Sequence, residues 1–230
     1  MKLSIVIPCY NEEATIKKII QKIKDQKQID KEIIVVDDHS LDGTRLILNN
    51  DLKNDIQKII LNPKNYGKGY SIRMGIKEAT GDFILIQDAD LEYDPSDYEK
   101  LLSPLKNGIA DVVYGSRFIG TSERRVLYFW HTVGNKFLTL LSNIFSNLNL
   151  TDMEVGYKVF RSNVLKGLVL RENRFGFEPE VTAKIAKKNI KIYEVGVKYF
   201  GRKYTEGKKI TWKDGISALR CIFYYNIFKN

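Results

Sequence analysis

Three features of this 230-residue chain predict an α/β fold with a mostly parallel sheet flanked by helices. Short runs of unbroken aliphatic character recur through the first half, and segments with helical spacing of apolar residues separate them. The apolar content, 43%, suffices for one sizeable core. Strands that lack polar alternation are those buried on both faces, as in a parallel sheet covered by helices.

Taken in order, Leu3–Ile7 is the first strand. Asn11-Glu12-Glu13 opens a helix whose Ile16, Ile19, Ile20 and Ile23 share one face. The strand Ile33–Val36, a helix from about Thr44, the strand Ile56–Leu61 and a helix from about Lys68 to Ala79 follow. Thr80-Gly81 stops that helix before the strand Phe83–Gln87, and Ala110–Tyr114 is a further strand. Beyond it Val126, Trp130, Val133, Phe137, Leu140, Leu141, Ile144 and Leu148 recur at three- and four-residue steps, an amphipathic helix or helix pair with Gly134 as a break. A helix tucked against the sheet accounts for most of these residues. Leu127, Phe129, Leu138 and Phe145 widen the stripe and leave room for a membrane-contacting face. Ile216–Phe228 offers a second apolar surface. With no repeat, low-complexity tract or linker, residues 1–230 read as one domain with a carboxyl-terminal amphipathic helix at 216–230.

Charge narrows the partners. Lys+Arg 37 against Asp+Glu 28 gives +9, which suits anionic ligands or membrane headgroups. Residues 181–213 concentrate ten basic side chains against two acids. No DNA- or RNA-binding motif accompanies them, so no nucleic-acid partner is expected. Cys9 and Cys221 lack metal-ligand spacing; Cys9 reads as a small core residue, and a reducing cytosol fits. Met1-Lys2 leads straight into a strand, too short for a signal segment. The longest uncharged stretch, Phe137 to Thr151, falls short of the roughly 20 apolar residues of a membrane span. A cytoplasmic protein, peripheral at the inner face of the cell membrane, is expected.

Asp88-Ala89-Asp90 and Glu92 carry the chemistry. Three carboxylates leaving a buried strand within five residues repel one another and resist desolvation. A hard cation, Mg²⁺ or Mn²⁺, held by one or two carboxylates and substrate phosphates, would neutralise them. An Asp-rich turn or helix start, with Asp94-Pro95-Ser96 following, is the alternative. Pro8-Cys9-Tyr10-Asn11 and Asp37-Asp38 sit at the carboxyl ends of other strands, where open α/β sheets bind ligands. A carboxylate at Asp37-Asp38 can accept from the imide of a uracil or the N1–H and amino group of a guanine; an Asx turn is its alternative.

The string Asp37-Asp38-His39-Ser40-Leu41-Asp42-Gly43-Thr44, with Pro8-Cys9-Tyr10-Asn11-Glu12 before it and Asp88-Ala89-Asp90 after it, resembles the family 2 glycosyltransferases of the Rossmann-like GT-A fold. Over about residues 3 to 215 the chain is most similar to the dolichol-phosphate mannose synthase branch and its bacterial polyprenyl-phosphate relatives. That resemblance implies that Pro8, Tyr10, Glu12, Val36 and Asp38 hold the donor nucleoside, and that Asp88, Ala89 and Asp90 meet the sugar diphosphate. It implies Asp88, Asp90 and Glu92 as metal ligands, Glu92 replacing a frequent Gln. Arg117, in Gly115-Ser116-Arg117-Phe118, matches an arginine that meets phosphate. Thr151 to Phe160 matches an acceptor-side element. Arg202 and Lys208 match a loop that closes over donor phosphates, although Gly207 stands where the synthases usually have Ser. By the same resemblance residues 1–118 are the nucleotide-sugar-binding half and 119–215 the acceptor-side half. Asp90, Arg117, Arg202 and Lys208 are the implied catalytic groups.

The residue types suit the chemistry. Expelling a nucleoside diphosphate builds negative charge that a cation and Arg or Lys stabilise. A phosphate acceptor is already ionised and needs positioning more than a base. Neither His39 nor His131 stands out as a base; Glu178 and Glu180 would serve a hydroxyl acceptor or merely open a helix. The expected reaction is inverting transfer of a hexose from a GDP- or UDP-linked donor to polyprenyl phosphate. The alternatives are a glycan hydroxyl as acceptor, or a non-enzymatic basic surface protein. A homo-oligomer is compatible with the apolar surfaces.

Overall fold

The computed structural model describes residues 1–120, 125–126, 128–202 and 212–228, the last stretch without the side chains of 212 and 213. Lys208 and Leu127 lie outside the described residues. Seven strands form one sheet: β1 (Leu3–Cys9), β2 (Lys31–Asp37), β3 (Lys58–Leu61), β4 (Phe83–Ile86), β5 (Val112–Ser116), β6 (Lys158–Arg161) and β7 (Ile192–Gly196), in the order β3-β2-β1-β4-β6-β5-β7. β1 to β4 pair in parallel, with Ile5 opposite both Ile33 and Leu85. β6 inserts antiparallel between β4 and β5, and β7 runs parallel to β5.

The aliphatic runs become strands because both sheet faces are covered. Ile5, Val6, Ile7, Val35, Val36, Ile84 and Leu85 are fully buried. α1 (Ile16–Lys24) covers one region with Ile16, Ile19, Ile20 and Ile23, the predicted face. It begins later than Asn11-Glu12-Glu13 because residues 12–15 form a turn, closed by the Thr15 hydroxyl on Glu12 Oε2 at 2.6 Å. α2 (Thr44–Asn50) and α3 (Lys68–Glu78) complete the parallel crossovers, and α4 (Tyr98–Lys106) packs on β5. The chain runs outward from β1 to β3, then returns by α3 to β4 on the other side of β1. The order therefore reverses between β1 and β4, the topological switch point at which such sheets bind ligands.

The second half departs from expectation. α5 (Phe129–Ser146) runs unbroken through Gly134, and its buried residues are Thr139 and Ser142. Phe129, Trp130, Val133, Phe137, Leu140 and Ile144 point outward, so the helix is not tucked apolar side inward. Only Leu138 and Leu141 turn toward the core from this helix, as partly buried apolar residues. After the short α6 (Ser162–Lys166), α7 (Phe177–Ala186) and α8 (Trp212–Phe223) pack beside α5, with Phe145 edge-on to Phe223 at 4.9 Å. α8 starts before residue 216 and ends in a π-helical turn, Tyr224–Phe228.

Candidate active site

The loops leaving β1, β2 and β4 each contain a non-glycine residue in the left-handed region: Asn11 (φ 50°), His39 (φ 65°) and Leu91 (φ 64°). Asn tolerates this conformation, whereas for the bulky Leu91 it costs about 1–3 kcal/mol. The strain at Leu91 turns the chain sharply between Asp90 and Glu92. The first two loops are stitched together: Asn11 N–H donates to Ser40 Oγ at 2.9 Å, and Leu41 N–H to Asn11 Oδ1 at 2.8 Å.

Asp38 is nearly buried. Its Oδ1 accepts from Asn62 Nδ2 and Tyr66 N–H, both at 2.9 Å, and its Oδ2 from Gly67 N–H at 2.7 Å. Gly67 has φ 103°, open to glycine and strained for any other residue, and it places Lys68 at the start of α3. Asp38 thus shapes the 62–67 loop as well as lining the cavity. Asp37 points elsewhere and pairs with Arg45 Nε at 2.5 Å.

A cluster of acids surrounds Arg202. Its NH2 lies 3.0 Å from Asp90 Oδ2 and 3.5 Å from Glu12 Oε1, and its backbone N–H donates to Glu92 Oε1 at 2.8 Å. Tyr199 OH donates to Glu92 Oε2 at 2.9 Å, and an antiparallel bridge between Tyr93 and Tyr199 brings this segment over the β4 loop. One guanidinium for three carboxylates leaves net negative charge. Burial, Asp88 and Glu92 push the Asp90 carboxyl up to about 7 against the pull of Arg202.

Asp88 faces the other way, onto Lys68 Nζ at 2.8 Å, which also meets Glu178 Oε1 at 3.1 Å. Burial alone would lower the Lys68 ammonium, but Asp88 and Glu178 raise it well above the usual lysine range. Lys68 was absent from the predicted site. Its signal is a cation in the first turn of a helix, where the macrodipole disfavours it unless acids face it. Arg117 is held by Asp152 through Nε and NH2, both at 2.7 Å, with its guanidinium 5.2 Å over the Tyr199 ring.

Pro8, Tyr10, Glu12, Asp38, Asp88, Ala89, Asp90, Glu92, Arg117 and Arg202 all line one cavity of about 1060 Å³. Val36 does not: β2 continues to Asp37, and the Val36 side chain is fully buried in the core, beside Pro8 in register. Trp130, His131, Asn135 and Leu138 of α5, together with Glu154 and Glu178, line the same cavity. Among the described residues no three acids, histidines or cysteines form a closed metal cage. Mg²⁺ and Mn²⁺ sites that use one or two carboxylates plus ligand phosphates need none. The excess negative charge around Asp90 and Glu92, all-oxygen in character, fits such an ion.

The family model for glycosyl transferase family 2 matches residues 4–169, well over half of the chain. The chain belongs to that family. Its relatives include a dolichol-phosphate mannosyltransferase of Pyrococcus furiosus, 30% identical over 91% of this chain and 61% of the relative. An undecaprenyl-phosphate 4-deoxy-4-formamido-L-arabinose transferase of Proteus mirabilis is 29% identical over 90% of this chain and 62% of its own length. This chain therefore spans less than two thirds of these relatives. Among solved structures, glucosyl-3-phosphoglycerate synthase from Mycobacterium tuberculosis, crystallised with Mn²⁺, UDP and phosphoglyceric acid, superimposes with a TM-score of 0.76. That match covers 100% of this chain and 80% of the synthase at 19% identity, and establishes the shared GT-A architecture.

Proposed function

We propose that this family 2 glycosyltransferase moves a hexose from a GDP- or UDP-linked donor to polyprenyl phosphate, with inversion, at the cytoplasmic face of a membrane. The observation that carries this reading is the continuity of the cavity. The strand-end loops, the Asp88–Glu92 acids and residues of α5 all line it. Both relatives described above are named for transfer involving a polyprenyl phosphate.

In this reading Pro8, Tyr10, Glu12 and Asp38 hold the nucleoside, with Val36 packed beside Pro8 in the sheet, and Ala89 meets the sugar diphosphate. Asp90, with Asp88 and Glu92, holds Mg²⁺ or Mn²⁺, whose charge when bound stabilises the departing diphosphate. Arg202, with Lys208, exchanges its acidic partners for donor phosphates. Arg117, fixed by Asp152, presents a rigid positive charge to the acceptor phosphate, for which no strong base is needed. No helix among the described residues is long and apolar enough to cross a membrane. The exposed apolar face of α5 supplies reversible contact with the bilayer, and Trp130, 78% exposed and lining the cavity, joins that face to the site.

Incubation with labelled GDP-mannose or UDP-glucose, Mn²⁺ and polyprenyl phosphate tests this. Label is expected in a lipid cleaved by mild acid. Label in an acid-stable glycoside would overturn the phosphate acceptor and assign a hydroxyl. Cosedimentation with anionic liposomes at low salt, lost at high salt, is expected of the membrane contact.

A further inference from the structure

Glu154 and Glu178 both line the cavity, and each keeps one buried carboxylate oxygen, Glu154 Oε1 and Glu178 Oε2, without a hydrogen-bond donor among the described residues. Glu178 is only 5% exposed. A buried acceptor left without a donor is costly, and more so when charged, so the pair is poised for donors from a ligand. The neighbouring cations are committed. Lys68 bridges Asp88 and Glu178 through its other oxygen, Arg117 is forked on Asp152, and Lys158 donates to Val155 O beneath the Tyr114 ring. Glu180 shows the contrast. Its oxygens accept from Arg171 N–H and Glu172 N–H and meet Lys184, so it holds the 171–172 backbone and offers nothing to the cavity.

We propose that Glu154 Oε1 and Glu178 Oε2 form the subsite that accepts hydrogen bonds from ring hydroxyls of the donor sugar. This inference rests on the donor-site reading above and adds the residues that choose the sugar. Placement supports it. Glu178 is tied through Lys68 to Asp88, and Gly156, two residues after Glu154, lies against Asp88 Oδ2. The subsite therefore begins one side chain away from the acids assigned to the diphosphate, which is where a hexose follows its phosphate. Chemistry narrows the occupant. Two acids repel a phosphate, and an apolar chain would leave both oxygens unpaired, whereas a sugar ring presents several neutral donors on adjacent carbons. Burial and the charge of Glu178 push the Glu154 carboxyl up to about 7, a penalty that hydroxyl donors relieve. The substrate class is a nucleotide-linked hexose with at least two free ring hydroxyls on the face toward α7.

Calorimetry with Mn²⁺ tests this by comparing UDP and GDP with UDP-glucose and GDP-mannose on the full chain, using whichever pair the wild type binds. Glu154→Gln is expected to hold nucleoside-diphosphate affinity within about twofold and to lose about tenfold in affinity for the nucleotide sugar, the loss of a charge-assisted hydrogen bond. Glu178→Gln, which also loosens Lys68 beside Asp88, is expected to lose more for the nucleotide sugar than for the diphosphate. Because Glu154 Oε1 has no partner to lose, Glu154→Gln should also melt at the wild-type temperature or above it, which separates a ligand role from a structural one. Equal losses for diphosphate and nucleotide sugar, or no loss for either, would overturn the subsite. Failure of the wild type to bind any nucleoside diphosphate would instead refute the donor-site reading on which it stands.

Discussion

Gly156→Ala tests the geometry at Asp88 without touching a charge. A Cβ at Gly156 would lie 2.4 Å from Asp88 Oδ2 and 2.9 Å from Tyr93 Cε2. Ordinary contact distances require the carboxylate oxygen to retreat by about 1 Å. Tyr93 cannot give way, because it is buried, stacked on Tyr157 at 4.6 Å and bonded through its hydroxyl to Gly156 N–H at 2.9 Å. Asp88 must therefore swing, stretching its 2.8 Å contact with Lys68 and pulling that ammonium from Glu178. Overpacking costs about 1–3 kcal/mol of stability, and a misplacement of about 1 Å at reacting groups costs on the order of a hundredfold in rate. The assay is metal-dependent release of nucleoside diphosphate from the preferred nucleotide sugar, alongside urea unfolding. Gly120→Ala, whose Cβ meets nothing among the described residues within 4 Å, is the control. Wild-type turnover in Gly156→Ala would refute the assignment of Asp88 to the diphosphate, because its position would then not matter.

Asp90→Ala should abolish turnover while leaving the fold intact, matching wild type treated with EDTA; residual activity well above that treated level would remove Asp90 from the metal. Lys68→Met leaves the buried Glu178 and the partly buried Asp88 without their counter-charge and should cost about 3 kcal/mol in urea unfolding, part of which Glu178→Gln restores in the double variant. Glu32 is buried against its own desolvation cost but accepts from Ser4, Thr80 and Lys2, which hold its carboxyl down at about 2. Its folded value lies below its unfolded one, so it stabilises the protein above about pH 4.5 and loses that contribution as the pH falls toward 2. Glu32→Gln should cost about 2 kcal/mol at pH 7, allowing for solvent around Lys2, and the gap should narrow between pH 4 and 2.5; a pH-independent gap would count against the linkage.

The parallel half of the fold was readable because its signals are local. Leu3–Cys9 and Lys31–Asp37 carry aliphatic residues that only a doubly covered strand accommodates, and α1 buries the four isoleucines its spacing indicates. The acids at strand ends were readable for the same reason, since a carboxylate directly after a buried strand has few other places to go. Long-range features were not. β6 is four residues, Lys158 to Arg161, bounded by cations, and Lys158 reads as solvent-facing although it is fully buried beneath the Tyr114 ring. Val36 and Pro8 look alike as neighbours of the site and pair in register, and only burial separates them: Pro8 is partly exposed on the cavity, while Val36 is fully enclosed. Lys68 depends on two acids, one 20 and the other 110 residues away, that no local pattern connects to it.

The inverted polarity of α5 follows from the cavity it lines. A helix closing a charged cavity must turn polar groups inward, and α5 does so with His131 and Asn135 on the cavity and with Thr139 and Ser142 buried beneath. Thr139 Oγ1 accepts from Met153 N–H at 3.2 Å, and Asn143 exchanges hydrogen bonds with the Leu150 backbone, so this face is fixed to the 150–153 segment that carries Asp152. The periodicity that predicted an amphipathic helix was correct, but the physics that orients such helices toward a sheet was overridden by the polar demands of the site. Phe129, Val133, Phe137, Leu140 and Ile144 are then left on the outside, in a row too long to be scattered surface residues. Their exposure is unfavourable in water at about 25 cal/mol per Å² and is relieved only by burial elsewhere. Under the proposed function, the bilayer that holds the acceptor buries them. One helix would then present its polar side to the acceptor phosphate and its apolar side to the lipid from which that phosphate projects.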